Sequence, residues 1–282
     1  MILFFSSHVL NSCLSQTTKK EGVMRGKVFF ICGVFLFVCL ISSGYLVKAE
    51  EETPELIYVF DIVVKPSMAD EYEAVAKEML GMYSKYGWPY TCWVYSTDDF
   101  HYYSVYPVKD LADVEQAWQT WYGIVEKMGA AKWDDIAKRM GKTYKYERAA
   151  TYRYRPDMSY IPKKPRLKTE EAPYTYWGMC YVIPGMEKEV EENFKKIAET
   201  FAKHNADAGW EAWIGETGTD MPCYVYVETG KSAGDFWSHS DKIMSKIGDE
   251  VMPLWKKTQA LFRKYEYKTG MFRPDLSYMP KK

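Results

Sequence analysis

The strongest constraint on this chain is that it is written twice. Residues 154–164 read YRPDMSYIPKK and residues 272–282 read FRPDLSYMPKK, 118 positions apart. Val64-Lys65-Pro66-Ser67-Met68 and Val182-Ile183-Pro184-Gly185-Met186 keep that offset of 118. Gly87-Trp88 and Gly209-Trp210 stand 122 apart, as do Lys109 and Lys231, and Asp113 and Asp235. One short insertion and one equal deletion account for the pattern. A repeat of this kind fixes the folding unit before any element is assigned. It places one copy at 50–161 and the other at 174–282, joined by the Pro- and Lys-rich linker PKKPRLKTEEAP at 162–173.

Ahead of the copies, Met24 opens a basic stretch with Arg25 and Lys27, and an apolar run from Val28 to Val47 follows. Val47 and Ala49 then occupy the −3 and −1 positions before Glu50. This is the order of a secretory signal peptide over 24–49, cleaved after Ala49, which predicts a periplasmic or extracellular protein. The apolar run is also long enough to span a bilayer as an uncleaved anchor, the one route by which the chain would engage a membrane. Residues 1–23 have no periodicity and read as a non-structural extension. Without residues 1–49 the chain keeps 32 basic and 37 acidic residues, a net charge of −5, and no basic stripe suited to nucleic acid. The three cysteines beyond that point, Cys92, Cys180 and Cys223, are odd in number and far apart, against a disulfide framework. Each lies in a strand-like run and reads as a small buried hydrophobe.

The two copies share one order of elements. Residues 56–64 are β-branched and aromatic and stop at Pro66. A helix follows, with Tyr72, Val75, Ala76, Met79 and Tyr83 on one face, matched by Val190, Phe194, Ile197 and Phe201. Two strands at 90–96 and 101–107 flank a polar Thr-Asp-Asp turn, and 211–215 and 222–228 repeat them. A second helical region at 110–140 (231–260) and a last strand at 143–153 (262–271) complete the unit. β-α-β-β-α-β is the ferredoxin-like arrangement, an antiparallel sheet with its helices on one face. One unit leaves a sheet face bare, and two can cover those faces by packing sheet to sheet. On this element order and duplication, the chain beyond residue 49 resembles the dimeric α/β-barrel superfamily. That group includes antibiotic-biosynthesis monooxygenases, stress-responsive A/B-barrel proteins, NIPSNAP-type domains and two-copy chlorite dismutases. The resemblance implies an α+β fold of two tandem βαββαβ repeats forming an intramolecular barrel. It carries no family motif, so no catalytic residue transfers to this chain.

Strand parity then sorts side chains by face. On β-strand candidates of the second copy, Trp177, Met179 and Tyr181 alternate with the small Gly178, Cys180 and Val182. The first set aligns with Val59, Asp61 and Val63. Thr91, Trp93 and Tyr95 alternate with Cys92 and Val94, and Glu211 and Trp213 are their counterparts. Tyr224, Tyr226 and Glu228 alternate with Cys223, Val225 and Val227, and map onto Tyr102, Ser104 and Tyr106. This assigns one aliphatic face and one aromatic face bearing Asp61, Glu211 and Glu228. Buried carboxylates cost free energy unless paired, and aromatic walls with a few polar groups are the make-up of a small-molecule pocket. The expected ligand set is Asp61, Trp93, Tyr95, Tyr102, Trp177, Tyr181, Glu211, Trp213, Tyr224, Tyr226 and Glu228. The competing reading is that Tyr and Trp fill a wide interface with their polar tips in solvent.

His101, His204 and His239 form no zinc-type spacing. The chlorite dismutase resemblance implies that a single histidine could ligate haem, and no other cofactor is indicated. In the RPD phrase, proline keeps Arg155 and Arg273 out of helix, and Asp157 and Asp275 suit an Asx-type turn. With Tyr160 and Tyr278 anchoring, the phrase reads as a staple for each tail; the alternative points both arginines into the cleft toward an anion. Three functions follow: an exported protein binding a small aromatic or cationic molecule between the sheets, an assembly module without ligand, or a cofactor-independent oxygenase or haem protein. The composition also leaves a homo-oligomer open.

Overall fold

The computed structural model describes residues 53–280; the expected extension and signal segment lie outside them. In chain order the elements are β1 (Leu56–Val64), α1 (Ala69–Tyr86), β2 (Trp93–Thr97), β3 (His101–Val108), α2 (Leu111–Met128), α3 (Ala130–Thr143) and β4 (Tyr144–Tyr154). They continue with β5 (Tyr174–Val182), α4 (Glu187–Lys203), β6 (Trp210–Gly215), β7 (Cys223–Gly230), α5 (Ala233–Gln259) and β8 (Phe262–Phe272). Local chemistry sets the helix ends. Asp110 accepts from the Asp113 N–H at 2.9 Å to start α2, Ser232 accepts from Asp235 to start α5, and Gly87 closes α1 in the left-handed conformation, with φ 70°. The sequence predicts one helical region over 110–140, but two helices form there. Gly129 adopts φ 92° and ψ 134°, which no helix continues through; α5, without a glycine at that point, runs unbroken for 27 residues.

All strand pairs are antiparallel, and the eight strands close into a barrel in the order β1-β3-β2-β8-β5-β7-β6-β4. Two runs of four, β4-β1-β3-β2 and β8-β5-β7-β6, are joined by short seams at Tyr95–Thr97 against Gly270–Phe272 and Tyr152–Tyr154 against Trp213–Gly215. The first seam needs its glycine: a Cβ on Gly270 would lie 2.0 Å from the Ser96 carbonyl oxygen.

The outer face of the barrel lies under the helices. Cys180, Val182 and Tyr224 are 0%, 0% and 3% exposed and pack against Val190, Phe194, Ile197, Ile247 and Val251. Burying such side chains supplies about 1.5–3 kcal/mol each, which makes this layer the main core. The three cysteines are buried and unpaired. Cys92 and Cys180 lie on this outer side, and Cys223 on the inner one, in register with Tyr181.

The RPD tails cross over. After β4, Arg155 donates its backbone N–H to Ala212 of β6 at 2.8 Å, and its guanidinium to Glu191 of α4 at 2.8 and 2.9 Å. It also grips Asp157 at 2.9 and 3.0 Å, while Tyr160 donates to the Ala206 carbonyl at 2.7 Å. After β8, Arg273 donates its N–H to Val94 of β2 and its guanidinium to Glu73 of α1 and to Asp275. Tyr278 donates to the Trp88 carbonyl at 3.2 Å. Each tail is thus tied to the half of the barrel it does not come from.

Candidate functional site

Directly opposed residues of an antiparallel ladder share a face, so register settles which side chains enter the lumen. Asp61 opposes Tyr103, Val59 opposes Val105, and Trp93 and Tyr95 oppose Val105 and Tyr103. Trp177, Met179 and Tyr181 oppose Val227, Val225 and Cys223, and Glu211 and Trp213 oppose Val227 and Val225. The lumen therefore receives Asp61, Trp93, Tyr95, Trp177, Tyr181, Glu211 and Trp213 from the expected set. It also receives Tyr103, Tyr152, Tyr154 and Phe272.

Four expected residues lie elsewhere. Tyr102, Tyr224, Tyr226 and Glu228 oppose Ile62, Cys180, Gly178 and Tyr176 and so face the helices. Tyr102 donates to Glu73 of α1 at 2.8 Å, Tyr224 donates to Glu191 of α4 at 2.8 Å, and Tyr226 packs on Phe194 and Trp255. The parity within β3 and β7 is right, but the sides are exchanged. Aromatic character points to no particular side, because tyrosine packs beneath a helix while its hydroxyl reaches a helical carboxylate.

Rings from both halves meet inside the barrel. Trp177 lies 5.6 Å from Tyr95, at 89°, and 5.6 Å from Tyr103, at 55°. Tyr95 contacts Phe272 at 5.3 Å, and Tyr154 contacts Trp213 at 5.2 Å. Even so, the mid-strand lumen residues Val59, Val105, Met179 and Val225 retain accessible surface, as do Ser104 and Tyr226 on the outer face, while Phe60, Cys180 and Tyr224 are buried. Burial pushes Tyr95 up to about 12, with the Glu211 charge adding to it. Glu211 is itself raised by burial and receives one long hydrogen bond, 3.3 Å, from Thr53.

One end of the barrel holds a polar chain that sequence reasoning missed. His101 Nδ1 lies 2.6 Å from Asp61 Oδ1, and His101 Nε2 lies 3.1 Å from the Lys268 ammonium, which also pairs with Asp99. An ammonium can only donate, so Nε2 accepts and Nδ1 carries the proton toward Asp61. His101 stacks on Tyr103 at 5.9 Å. The signal was available once β1 and β3 were aligned, since Asp61 opposes Tyr103 and His101 is its diagonal neighbour. At the offsets of 118 and 122, Met179 and Cys223 replace Asp61 and His101, so the chain has this network at one end only.

His204 Nε2 is bonded to Glu250 at 2.8 Å, His239 Nε2 to Asp207 at 2.9 Å, and both nitrogens of His101 are engaged. Among the described residues no group of three His, Cys, Asp or Glu side chains is placed to hold a metal ion. Arg155 and Arg273 point to α4 and α1, away from the lumen.

Five helices around a closed eight-stranded antiparallel barrel make the described region an α+β structure of the dimeric α/β-barrel type. An anthrone oxidase-like protein matches it with a TM-score of 0.55 at 10% identity, over 79% of this chain and 92% of that one. A mutant chlorite dismutase from Candidatus Nitrospira defluvii matches with a TM-score of 0.49 at 10% identity, over 79% and 93%. At this identity the likeness to the first shows the fold alone. No protein-family model matches the chain, and no curated protein matches it in sequence.

Proposed function

We propose that this chain is an exported binding protein, built from two tandem ferredoxin-like copies, that holds a small aromatic or aromatic-cationic molecule in the barrel lumen. The observation that carries the reading is the residual accessibility of Val59, Val105, Met179 and Val225 in the middle of a ring-lined barrel. Accessible surface in the middle of a closed lumen marks space that its own side chains have not filled. Trp177, Tyr95 and Tyr103 supply faces for a planar ring, and such faces also attract a cation. Glu211 is the natural counter-charge, because burial penalises its ionised form and hydrogen bonding from Thr53 and Trp213 offsets that only in part. Export rests on the expected signal segment at 24–49.

The test is thermal-shift screening of the wild type, Trp93→Ala and Trp213→Ala against small aromatic and aromatic-ammonium compounds. At a free concentration about 100 times Kd, a ligand adds about 2.7 kcal/mol to the wild type. The expected result is one compound class that stabilises the wild type more than either variant. Equal shifts, or none, would overturn the lumen reading and favour a barrel serving assembly alone.

A further inference from the structure

The outer face of the first half holds a pocket that the lumen reading does not use. It lies between the β1–β3 pair and α2 and spans about 360 Å³, its open mouth included. Its floor is buried: of its lining residues Phe60 is 4%, Tyr106 7% and Trp121 1% exposed. Tyr58, Val114 and Trp118 line it too and keep accessible surface, so the pocket runs from solvent to the core. The surface it offers is apolar.

The second half shows what fills this place. Asp110 and Ser232 cap α2 and α5 through the N–H groups of Asp113 and Asp235, so Val114 and Phe236 stand at the same point of the two helices. Beneath them, register pairs Tyr58 with Tyr106 and Leu56 with Val108 in the first half, and Tyr176 with Glu228 and Tyr174 with Gly230 in the second. The Phe236 ring lies 5.5 Å from Tyr176 and 5.4 Å from Tyr174, and a Cβ added to Gly230 would stand 3.0 Å from the Phe236 Cβ. Phe236 is 7% exposed and so packs on the counterparts of Tyr58, Leu56 and Val108. In the first half the same helix position carries Val114, which has no ring to place there, and the pocket opens beside it.

We propose that this pocket binds an uncharged, single-ring aromatic molecule, seated in the first half where the second half seats the phenyl group of Phe236. Apolar cavities of this kind take up small aromatic molecules in place of water. Phe60, Tyr106 and Trp121 offer a bound ring aromatic contacts that a saturated ring cannot match, and a charged group would lose its hydration there without a partner. Tyr58 and Trp93 lie on opposite faces of the sheet, so this site and the lumen can be lost separately.

The experiment is a fluorine NMR titration of the whole protein with fluorobenzene, and with fluorocyclohexane as the saturated ring. Fluorobenzene is expected to bind saturably, with equal affinity in the wild type and in the lumen variant Trp93→Ala. Val114→Phe supplies the ring from the chain itself, and Ala117→Leu fills the pocket from the next turn of α2. Each is expected to lower the affinity about ten-fold or more. Fluorocyclohexane is expected to bind about three-fold more weakly, or worse. Thermal melting shows which α2 variant is folded, and one suffices. No saturable binding by the wild type, or equal affinity in wild type and a folded α2 variant, would overturn the site. Loss in Trp93→Ala with binding kept by the α2 variants would assign the ring to the lumen and overturn it as well. Equal affinity for the two rings would overturn the aromatic assignment.

Discussion

His101 links three segments: it bonds Asp61 on β1 and Lys268 on β8, and Lys268 pairs in turn with Asp99 in the hairpin between β2 and β3. Its worth lies in what is left behind when it goes. His101→Ala leaves Asp61, 22% exposed, without its 2.6 Å partner. The expected loss is about 1–3 kcal/mol in urea unfolding, the cost of stranding a partly buried acceptor. His101→Gln, which can still donate to Asp61, is expected to recover part of it. At this scale the sequence was legible by half. Asp61 stood out because a carboxylate interrupts an apolar strand; His101 looked like an ordinary strand-end residue until register made the two diagonal neighbours. Glu228 shows the converse. Its chemistry was visible as an acid among aromatic residues, but its side of the sheet was not, because alternation gives two faces and does not say which one the helices cover.

Among the elements, the two RPD tails have the clearest energetics. Arg273 and Glu73 are 21% and 22% exposed and joined by two charge-assisted hydrogen bonds. The Arg273 guanidinium holds the Glu73 carboxyl below its usual range and Asp275 down at about 2. A folded-state value below the unfolded one stabilises the protein above the ordinary carboxylate range, and this contribution is lost as pH falls through the folded value. Arg273→Ala is therefore expected to cost about 1–3 kcal/mol near neutrality. Its denaturation midpoint should converge on that of the wild type as pH falls from about 4 toward 2. Asp275 is 44% exposed and adds little of its own. The sequence marked these tails by their repetition, yet their crossing to the opposite half is a property of the closed barrel that no local pattern carries. Gly129 is the other limit: one glycine in an amphipathic run is a weak signal, and it split the expected helix in two.

For the whole molecule, the offsets of 118 and 122 made the β-α-β-β-α-β order readable in each half, and the strand orders β4-β1-β3-β2 and β8-β5-β7-β6 repeat it in space. Closure at the two seams was not readable, since it depends on short three-residue ladders and on the approach that Gly270 permits. Closure turns two sheet faces into one lumen in which Trp177 of one half meets Tyr95 and Tyr103 of the other. That lumen, as the seat of a small aromatic ligand, is the central claim. It is tested most directly by soaking crystals of the protein with 4-bromophenyltrimethylammonium and locating bromine by its anomalous scattering. The account expects a bromine peak inside the barrel, beside Trp177, Tyr95 and Tyr103. Bromine found only outside the barrel, with the lumen rings unmoved and bare, would contradict it.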